Sequence, residues 1–193
     1  MQPSELMKEG ELFFRQWLRS PKSMGSVIPS SRVLARAVAA EVAWQPGQYV
    51  VELGGGTGAI SQGLIERGIP RDHLIVIELD TALHAYLKER LTGCLVIQGD
   101  ATRLPEILAR HEIGEIGTVI SGLPMVGMPF EFQQAIIEQG FKVMRPGGFM
   151  LQYSYSPIAP IPAKKLGVKA RIARYVLWNF PPAAVWCYTK LAG

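Results

Sequence analysis

The chain has 193 residues, 48% of them apolar, and a net charge of +4, which suits one enzyme-sized core rather than a disordered or fibrous protein. Its two cysteines, Cys94 and Cys187, resemble neither a disulfide framework nor a zinc knuckle, and no metal is expected. Charged residues interrupt the N-terminus and no run is apolar enough to span a bilayer, so we expect a cytoplasmic protein.

The first predicted element is an amphipathic helix within residues 6–18. Phe13, Phe14 and Trp17 fall on one side of it, and basic residues such as Arg15 fall on the other. Aromatic rings with basic flanks suit a bilayer interface, although the same stripe could equally pack on a core. We assign residues 1–32 to a membrane-contacting helix and lid segment, and residues 33–193 to a catalytic domain.

A glycine-rich run, Glu52–Gly58, follows the strand-like residues Tyr49–Val51. It predicts a strand that ends in a tight turn and opens a helix. Gly54, Gly56 and Gly58 leave bare backbone at a helix N-terminus, where a nucleotide-like ligand can bind. Spacing alone does not separate NAD from S-adenosylmethionine, and a plain turn between strand and helix remains an alternative.

Three more apolar runs end in polar residues: Leu74–Ile77 before Glu78, Cys94–Ile97 before Asp100, and Thr118–Ile120 before Ser121. Short apolar runs separated by helical segments predict parallel strands of an α/β sheet. Ligands of such sheets bind beyond the carboxyl ends of the strands. Glu78 can accept hydrogen bonds from two ribose hydroxyls and Asp100 from an adenine amino group. Solvated strand ends are the alternative for each acid.

The C-terminal part completes the predicted sheet. Residues 130–144 read as a helix, and Arg145–Gly148 forms a turn into a fifth strand over residues 149–153. A basic helix is predicted from Ala163 to about Arg174. Residues 175–179 and 184–191 then predict a closing antiparallel hairpin, away from the ligand edge.

Charge is unevenly distributed along the chain. Glu138 is the last acidic residue, and 8 of the 20 basic residues follow it. The first 138 residues therefore carry a net charge of −4 and the remainder +8. Such asymmetry predicts attraction to a polyanion, either nucleic acid or an anionic membrane, with a solvated basic face as the alternative.

The order of these motifs resembles the class I S-adenosylmethionine-dependent methyltransferases over nearly the whole chain. The resemblance implies an α/β Rossmann-like methyltransferase fold: a seven-stranded, mostly parallel sheet with helices on both faces and an extra N-terminal amphipathic helix. Glu52–Gly58 resembles the family's E-x-G-x-G-x-G loop, and Arg145–Gly148 its P-G-G turn. The implied cofactor is S-adenosylmethionine, and the predicted binding residues are Glu52, Gly54, Gly56, Gly58, Glu78, Leu79, Asp100, Ala101 and Ser121.

Two subfamilies within this class share these motifs. The rRNA adenine dimethyltransferases carry an Asn-Leu-Pro-Tyr type motif after strand four, whereas this chain has Ser121–Pro124 followed by Met125. The soluble bacterial phospholipid N-methyltransferases, which convert phosphatidylethanolamine stepwise to phosphatidylcholine, are also similar in the N-terminal helix and in Pro21–Arg32. The phospholipid enzymes are therefore favoured, with rRNA or a small amine as alternative substrates.

The expected chemistry is direct displacement at the cofactor's methyl group by the lipid amine. Tyr153, Tyr155 and Ser121 are the catalytic candidates, although a tyrosine in a strand is often only packing. Arg32, Lys22 and Lys165 are candidates for the lipid phosphate. The expected partners are the phospholipid and an anionic membrane surface, with no nucleic acid and no obligate protein partner. The expected location is peripheral, on the inner face of the cytoplasmic membrane.

Overall fold

The computed structural model describes residues 31–156 and 158–191. The predicted N-terminal helix with Phe13, Phe14 and Trp17 lies outside these ranges, and so does the phosphate candidate Lys22. One seven-stranded sheet runs through the described part. Its strands are β1 Tyr49–Leu53, β2 Leu74–Glu78, β3 Leu95–Gln98, β4 Ile116–Ser121, β5 Met144–Ser154, β6 Val168–Val176 and β7 Ala183–Lys190. The order is β3-β2-β1-β4-β5-β7-β6, and only β7 is antiparallel to its neighbours. The predicted Rossmann-like sheet is confirmed.

Helices cover both faces of this sheet because its strands alternate their apolar side chains between two cores. The helices are α1 Arg32–Ala40, α2 Ala59–Glu66, α3 Thr81–Arg90, α4 Leu104–Leu108 and α5 Phe130–Val143, with 3₁₀ turns at Arg71–His73 and Ala101–Arg103. Val51 and Ile75 pack on one face with α4 and α5, and Val50 and Val76 pack on the other with α1, α2 and α3. In residues 31–156 and 158–191 no helix is long and apolar enough to cross a membrane.

The predicted basic helix from Ala163 to about Arg174 is wrong, because most of this segment is the edge strand β6. Its apolar residues Val168, Ile172 and Val176 recur every four positions, a spacing that fits a helix. In the strand, Val168 and Ile172 pack on one face of the sheet and Val176 on the other, because the register shifts between Ile172 and Arg174. Pairing with β7 decides for the strand. Exposed basic residues on β6 suit a sheet edge, since charge there discourages pairing with another chain.

The β6–β7 hairpin is confirmed, but its turn is displaced from the predicted position. The strand expected over residues 175–179 ends at Val176, and the turn spans residues 177–182. The hairpin lies beyond β5 at one side of the sheet. Because β6 runs parallel to β5, this turn reaches the edge where the carboxyl ends of β1 to β5 meet, which we call the carboxyl edge. As predicted, β6 and β7 lie at one side of the sheet, away from β1 to β3. The turn between them, however, lies at the ligand edge and not away from it.

Two helical glycines make a matched test of packing between α1 and α2. A Cβ on Gly63 in α2 would lie 2.9 Å from backbone atoms of Ala35, whereas a Cβ on Gly140 in α5 would meet side chains at 3.6 Å or more. We expect Gly63→Ala to lower the free energy of unfolding by about 1–3 kcal/mol, because the helices must separate. Gly140→Ala should be neutral or stabilising by up to about 1 kcal/mol. Urea titration measures both, and equal effects would contradict the packing argument.

Candidate cofactor and substrate site

The glycine-rich run forms the turn between β1 and α2. Gly54, Gly56 and Gly58 all have positive φ angles, 76°, 53° and 76°, which favour glycine. Gly54 N–H donates to the Ile77 carbonyl at 2.8 Å, which ties the loop to the end of β2. A Cβ on Gly56 would have no atom within 4 Å, so this side of the loop is open. The turn therefore presents bare backbone at the start of α2, as the sequence predicted.

Glu78 ends β2 and binds the glycine loop through its carboxylate. Gly56 N–H donates to Oε2 at 2.9 Å, and Asp80 N–H donates to Oε1 at 3.0 Å. The side chain is buried, with 1% of its surface exposed. Each carboxylate oxygen keeps a second lone pair, which can accept a hydrogen bond from a ribose hydroxyl. The loop and the acid are thus brought together in one unit.

A cleft lies at the carboxyl edge between Gly54 of the glycine loop and the residues that follow β3, and Glu78 lies outside its lining, between Ile77 and Leu79, which line it. Its lining consists of Gly54, Ile77, Leu79, Gly99, Asp100, Ala101, Leu123 and Phe132. Asp100 Oδ1 accepts from Thr102 N–H at 2.8 Å, which fixes the carboxylate at the start of a 3₁₀ turn. The apolar walls suit a flat aromatic ring, and the acid suits an amino group at its edge. Leu123 and Phe132 were not predicted as site residues, because no spacing rule points from their segments to the cleft.

Glu52 lies below the glycine loop, outside the lining of the cleft. Its side chain is buried and accepts a hydrogen bond from the Ser61 hydroxyl of α2. Burial raises the pKa of the Glu52 carboxyl, the Ser61 hydrogen bond lowers it and the nearby Glu78 charge raises it, and together these effects bring the pKa to about 8. A neutral carboxyl is therefore favoured at pH 7. Direct contact between Glu52 and a cofactor stays a prediction.

Two buried glutamines hold residues 122–129, the loop that follows β4, which we call the post-β4 loop. Gln133 Nε2 donates to the carbonyls of Met125 and Met128, at 2.8 and 3.0 Å, and Gln152 Nε2 donates to the Leu123 carbonyl at 3.0 Å. Both glutamines were missed by the sequence analysis, since glutamine on an apparent helix or strand carries no motif. They fix the loop that borders the cleft.

Ser121 and the two candidate tyrosines have different positions at this loop. Ser121 is fully buried, and its hydroxyl accepts from Leu123 N–H at 3.3 Å, so it shapes the turn. The Tyr153 hydroxyl lies 3.0 Å from the place that a Cβ on Gly122 would take, next to the end of β4. Tyr153 and Tyr155 both pack partly buried on the core beneath α1 and α2. Of the two tyrosines, Tyr153 is therefore the one shown beside the loop, and the catalytic roles stay predictions.

The predicted phosphate ligands lie apart. Arg32 is exposed at the start of α1, and Lys165 places its ammonium 5.7 Å from the centre of the Phe130 ring at the start of α5. Because α1 and α5 cover opposite faces of the sheet, these two cations do not form one phosphate site. Within the described ranges, no group of three His, Cys, Asp or Glu side chains could hold a metal ion.

No family model matches the chain. An ornithine lipid N-methyltransferase from Singulisphaera acidiphila is 32% identical over 154 residues, which cover 78% of this chain and 80% of that protein. A ribosomal RNA small subunit methyltransferase A from Thermotoga petrophila is 27% identical over 136 residues, covering 70% of this chain. The chain spans about half the length of that relative.

Solved structures of low sequence identity share the fold. TrmN from Thermus thermophilus has a TM-score of 0.65 at 21% identity and covers 92% of this chain and 53% of its own. Fibrillarin from Aeropyrum pernix, with natively bound S-adenosyl-L-methionine, has a TM-score of 0.56 at 20% identity and covers 80% and 73%. The fold of the chain is thus a known architecture.

Proposed function

The chain belongs to the class I S-adenosylmethionine-dependent methyltransferases, and we propose that it moves methyl groups from this donor to the amine of a membrane lipid. The observation that carries the proposal is the 32% identity to an ornithine lipid N-methyltransferase across 80% of that protein. The post-β4 loop adds support, because Met125 is buried at a position where an RNA adenine enzyme needs an aromatic ring for a flipped base.

The residues that line the cleft, together with Glu78 beside it, fit the cofactor. Glu78 can accept from the ribose hydroxyls, Asp100 from the adenine amino group, and Leu79 and Phe132 can enclose the ring. When bound, S-adenosylmethionine supplies an electrophilic methyl group, which an amine nitrogen takes up with loss of one proton while the sulfur keeps the bonding pair. Gln133 and Gln152 hold the post-β4 loop rigid beside this position.

The residues of this chain contribute to the reaction chiefly by holding the amine nitrogen in position to attack the methyl group. A displacement at carbon needs the nitrogen at near-attack distance and in line, so a fixed loop lowers the entropic cost of reaction. Tyr153 is the candidate for contact with the amine, through its hydroxyl or its ring face, because it lies against the end of β4. Buried Ser121 maintains the turn that brings Leu123 to the cleft.

Phosphatidylethanolamine, methylated stepwise to phosphatidylcholine, is the substrate that we propose on the resemblance of the motifs. An ornithine lipid is the second candidate, favoured by the name of the 32% identical relative. Both would present an amine at the surface of a bilayer, so the enzyme must work there. We infer peripheral binding at the inner face of the cytoplasmic membrane, with Arg32 and Lys165 as separate candidates for headgroup phosphate or anionic lipid.

The test is transfer of radiolabelled methyl groups to three substrates in parallel: phosphatidylethanolamine vesicles, ornithine lipid vesicles and undermethylated small-subunit rRNA. We expect label in the lipid phase, and chromatography of the products shows how many methyl groups each amine receives. Glu78→Ala is the negative control, because it should lose the cofactor. Label in RNA alone, with none in either lipid, would contradict the proposal and favour the rRNA alternative.

A further inference from the structure

Exposed apolar side chains of the described part concentrate at the carboxyl edge. Of nine large ones, Tyr86 lies midway along α3 and Leu191 follows β7 at the opposite edge, and the other seven belong to segments at or next to the carboxyl edge. The four most exposed are Trp178 at 91%, Phe180 at 88%, Ile158 at 75% and Leu177 at 71%. Proteins rarely leave such a group in water without a partner for it.

The β6–β7 turn is built to hold its large side chains outward. Asn179 is 3% exposed at its centre, accepts from the Ser31 hydroxyl and donates to the Pro181 carbonyl at 2.6 Å. Its backbone N–H donates to the Val176 carbonyl at 3.3 Å. Because the buried asparagine fixes the turn, Trp178 and Phe180 on either side of it face solvent.

Two further loops bring apolar side chains to the same edge. Val126 is exposed in the post-β4 loop, and Ile158 follows β5, the strand that carries Tyr153. Parallel β4, β5 and β6 all end at the carboxyl edge, so these loops follow one another along that edge, and the loop of Val126 borders the cleft through Leu123. We call Val126, Ile158, Leu177, Trp178 and Phe180 the apolar rim.

Basic residues adjoin the apolar rim. The bond from Ser31 to Asn179 places the start of α1, and with it exposed Arg32, beside the β6–β7 turn. The Lys165 ammonium lies 5.7 Å from the centre of the Phe130 ring, and Phe130 begins α5, the helix that follows the loop of Val126. Rings and aliphatic side chains bordered by cations match the boundary between acyl chains and anionic headgroups.

We propose that the apolar rim inserts into an anionic phospholipid bilayer, so that the cleft opens onto the membrane and a lipid amine reaches it without leaving the bilayer. The choice of a bilayer rests on the proposed lipid substrate. Trp178 and Phe180 are the main contacts, because tryptophan and phenylalanine are favoured at the bilayer interface.

The test is flotation of the full chain with vesicles of phosphatidylcholine alone and of phosphatidylcholine with phosphatidylglycerol. We expect wild type to bind the anionic vesicles, and Trp178→Ser with Phe180→Ser to bind them at least about tenfold more weakly, since two rings no longer leave water. Leu191→Ser is the matched control, because Leu191 is exposed at the opposite edge. Binding of S-adenosylhomocysteine should be unchanged in both variants, which shows that they are folded.

Residues before Ser31 can contribute to the same binding, so the double variant is also made together with Phe13, Phe14 and Trp17 changed to Ser. If the rim substitutions leave anionic vesicle binding unchanged in both backgrounds, the rim proposal is overturned. It is also overturned if they alter only the sedimentation of the protein, since the rim would then contact a second copy of the chain.

A second assay distinguishes failure of the rim proposal from failure of the proposed function. Methyl transfer is measured with lipid in vesicles and with the same lipid dispersed in detergent. Rim-dependent flotation without methylation of any lipid would remove the proposed function and leave the membrane contact standing. Full activity of the rim variant on vesicles, with normal flotation, would remove the rim and leave the lipid substrate standing. The expected result is loss of activity on vesicles and retention in detergent.

Discussion

Glu78→Ala should weaken binding of S-adenosylhomocysteine by at least about 100-fold, because hydrogen bonds from two hydroxyls to a carboxylate contribute about 1.5–3 kcal/mol each. Both oxygens of Glu78 already accept one backbone N–H, from Gly56 and from Asp80, which fixes the carboxylate in orientation. The variant thus loses the acceptors and also the bond that holds the glycine loop. Isothermal titration calorimetry measures the affinity.

Two further variants show whether the effect depends on the charge of the side chain at residue 78 and whether it is specific to that residue. Glu78→Gln keeps one oxygen acceptor and should fall between wild type and the alanine variant. Glu89→Ala removes an exposed carboxylate from α3 and should bind as wild type does. Circular dichroism establishes that each variant is folded. An unchanged affinity of a folded Glu78→Ala protein would take Glu78 out of the site and leave the cleft without its ribose contact.

Glu52→Gln should make the stability of the cofactor-free protein less dependent on pH. Burial raises the pKa of Glu52 from 4.5 to about 8 in the folded state. Below the unfolded value both states hold the proton, so folding is not penalised. As pH rises from about 5 to about 8 the unfolded chain ionises first, and the free energy of unfolding falls by an amount on the order of a few kcal/mol. Glutamine has no proton to lose.

Urea titrations at about pH 5.5 and about pH 8 measure this effect. We expect the variant to gain stability relative to wild type as pH rises, because its amide can still accept from the Ser61 hydroxyl and stays neutral. The same substitution at exposed Glu112 is the matched control. Parallel pH curves for wild type and Glu52→Gln would show that Glu52 is not the buried neutral acid that its surroundings favour.

Much of the fold is readable from local pattern. Strand β2 has five buried residues and ends in Glu78, and helix α5 begins at Phe130 where the sequence predicted it. Such features depend on the periodicity of apolar residues and on glycine, which act within a few positions of the chain. Strand β6 was mistaken for a helix, because its apolar residues recur every four positions and only its pairing with β7 excludes a helix.

By itself the sequence determined the glycine turn, the acid at the end of each early strand and hence the cofactor edge, because parallel strands bring their carboxyl ends together. Only the tertiary structure decided which side chains line the cleft, that Gln133 and Gln152 hold the loop beside it, and that Glu52 is buried with Ser61. It also placed exposed Val126, Ile158 and Trp178 in three loops that follow β4, β5 and β6 at the carboxyl edge. The physical reason is that burial and contact between distant segments depend on packing of the whole chain, whereas turns and strands depend on neighbours in sequence.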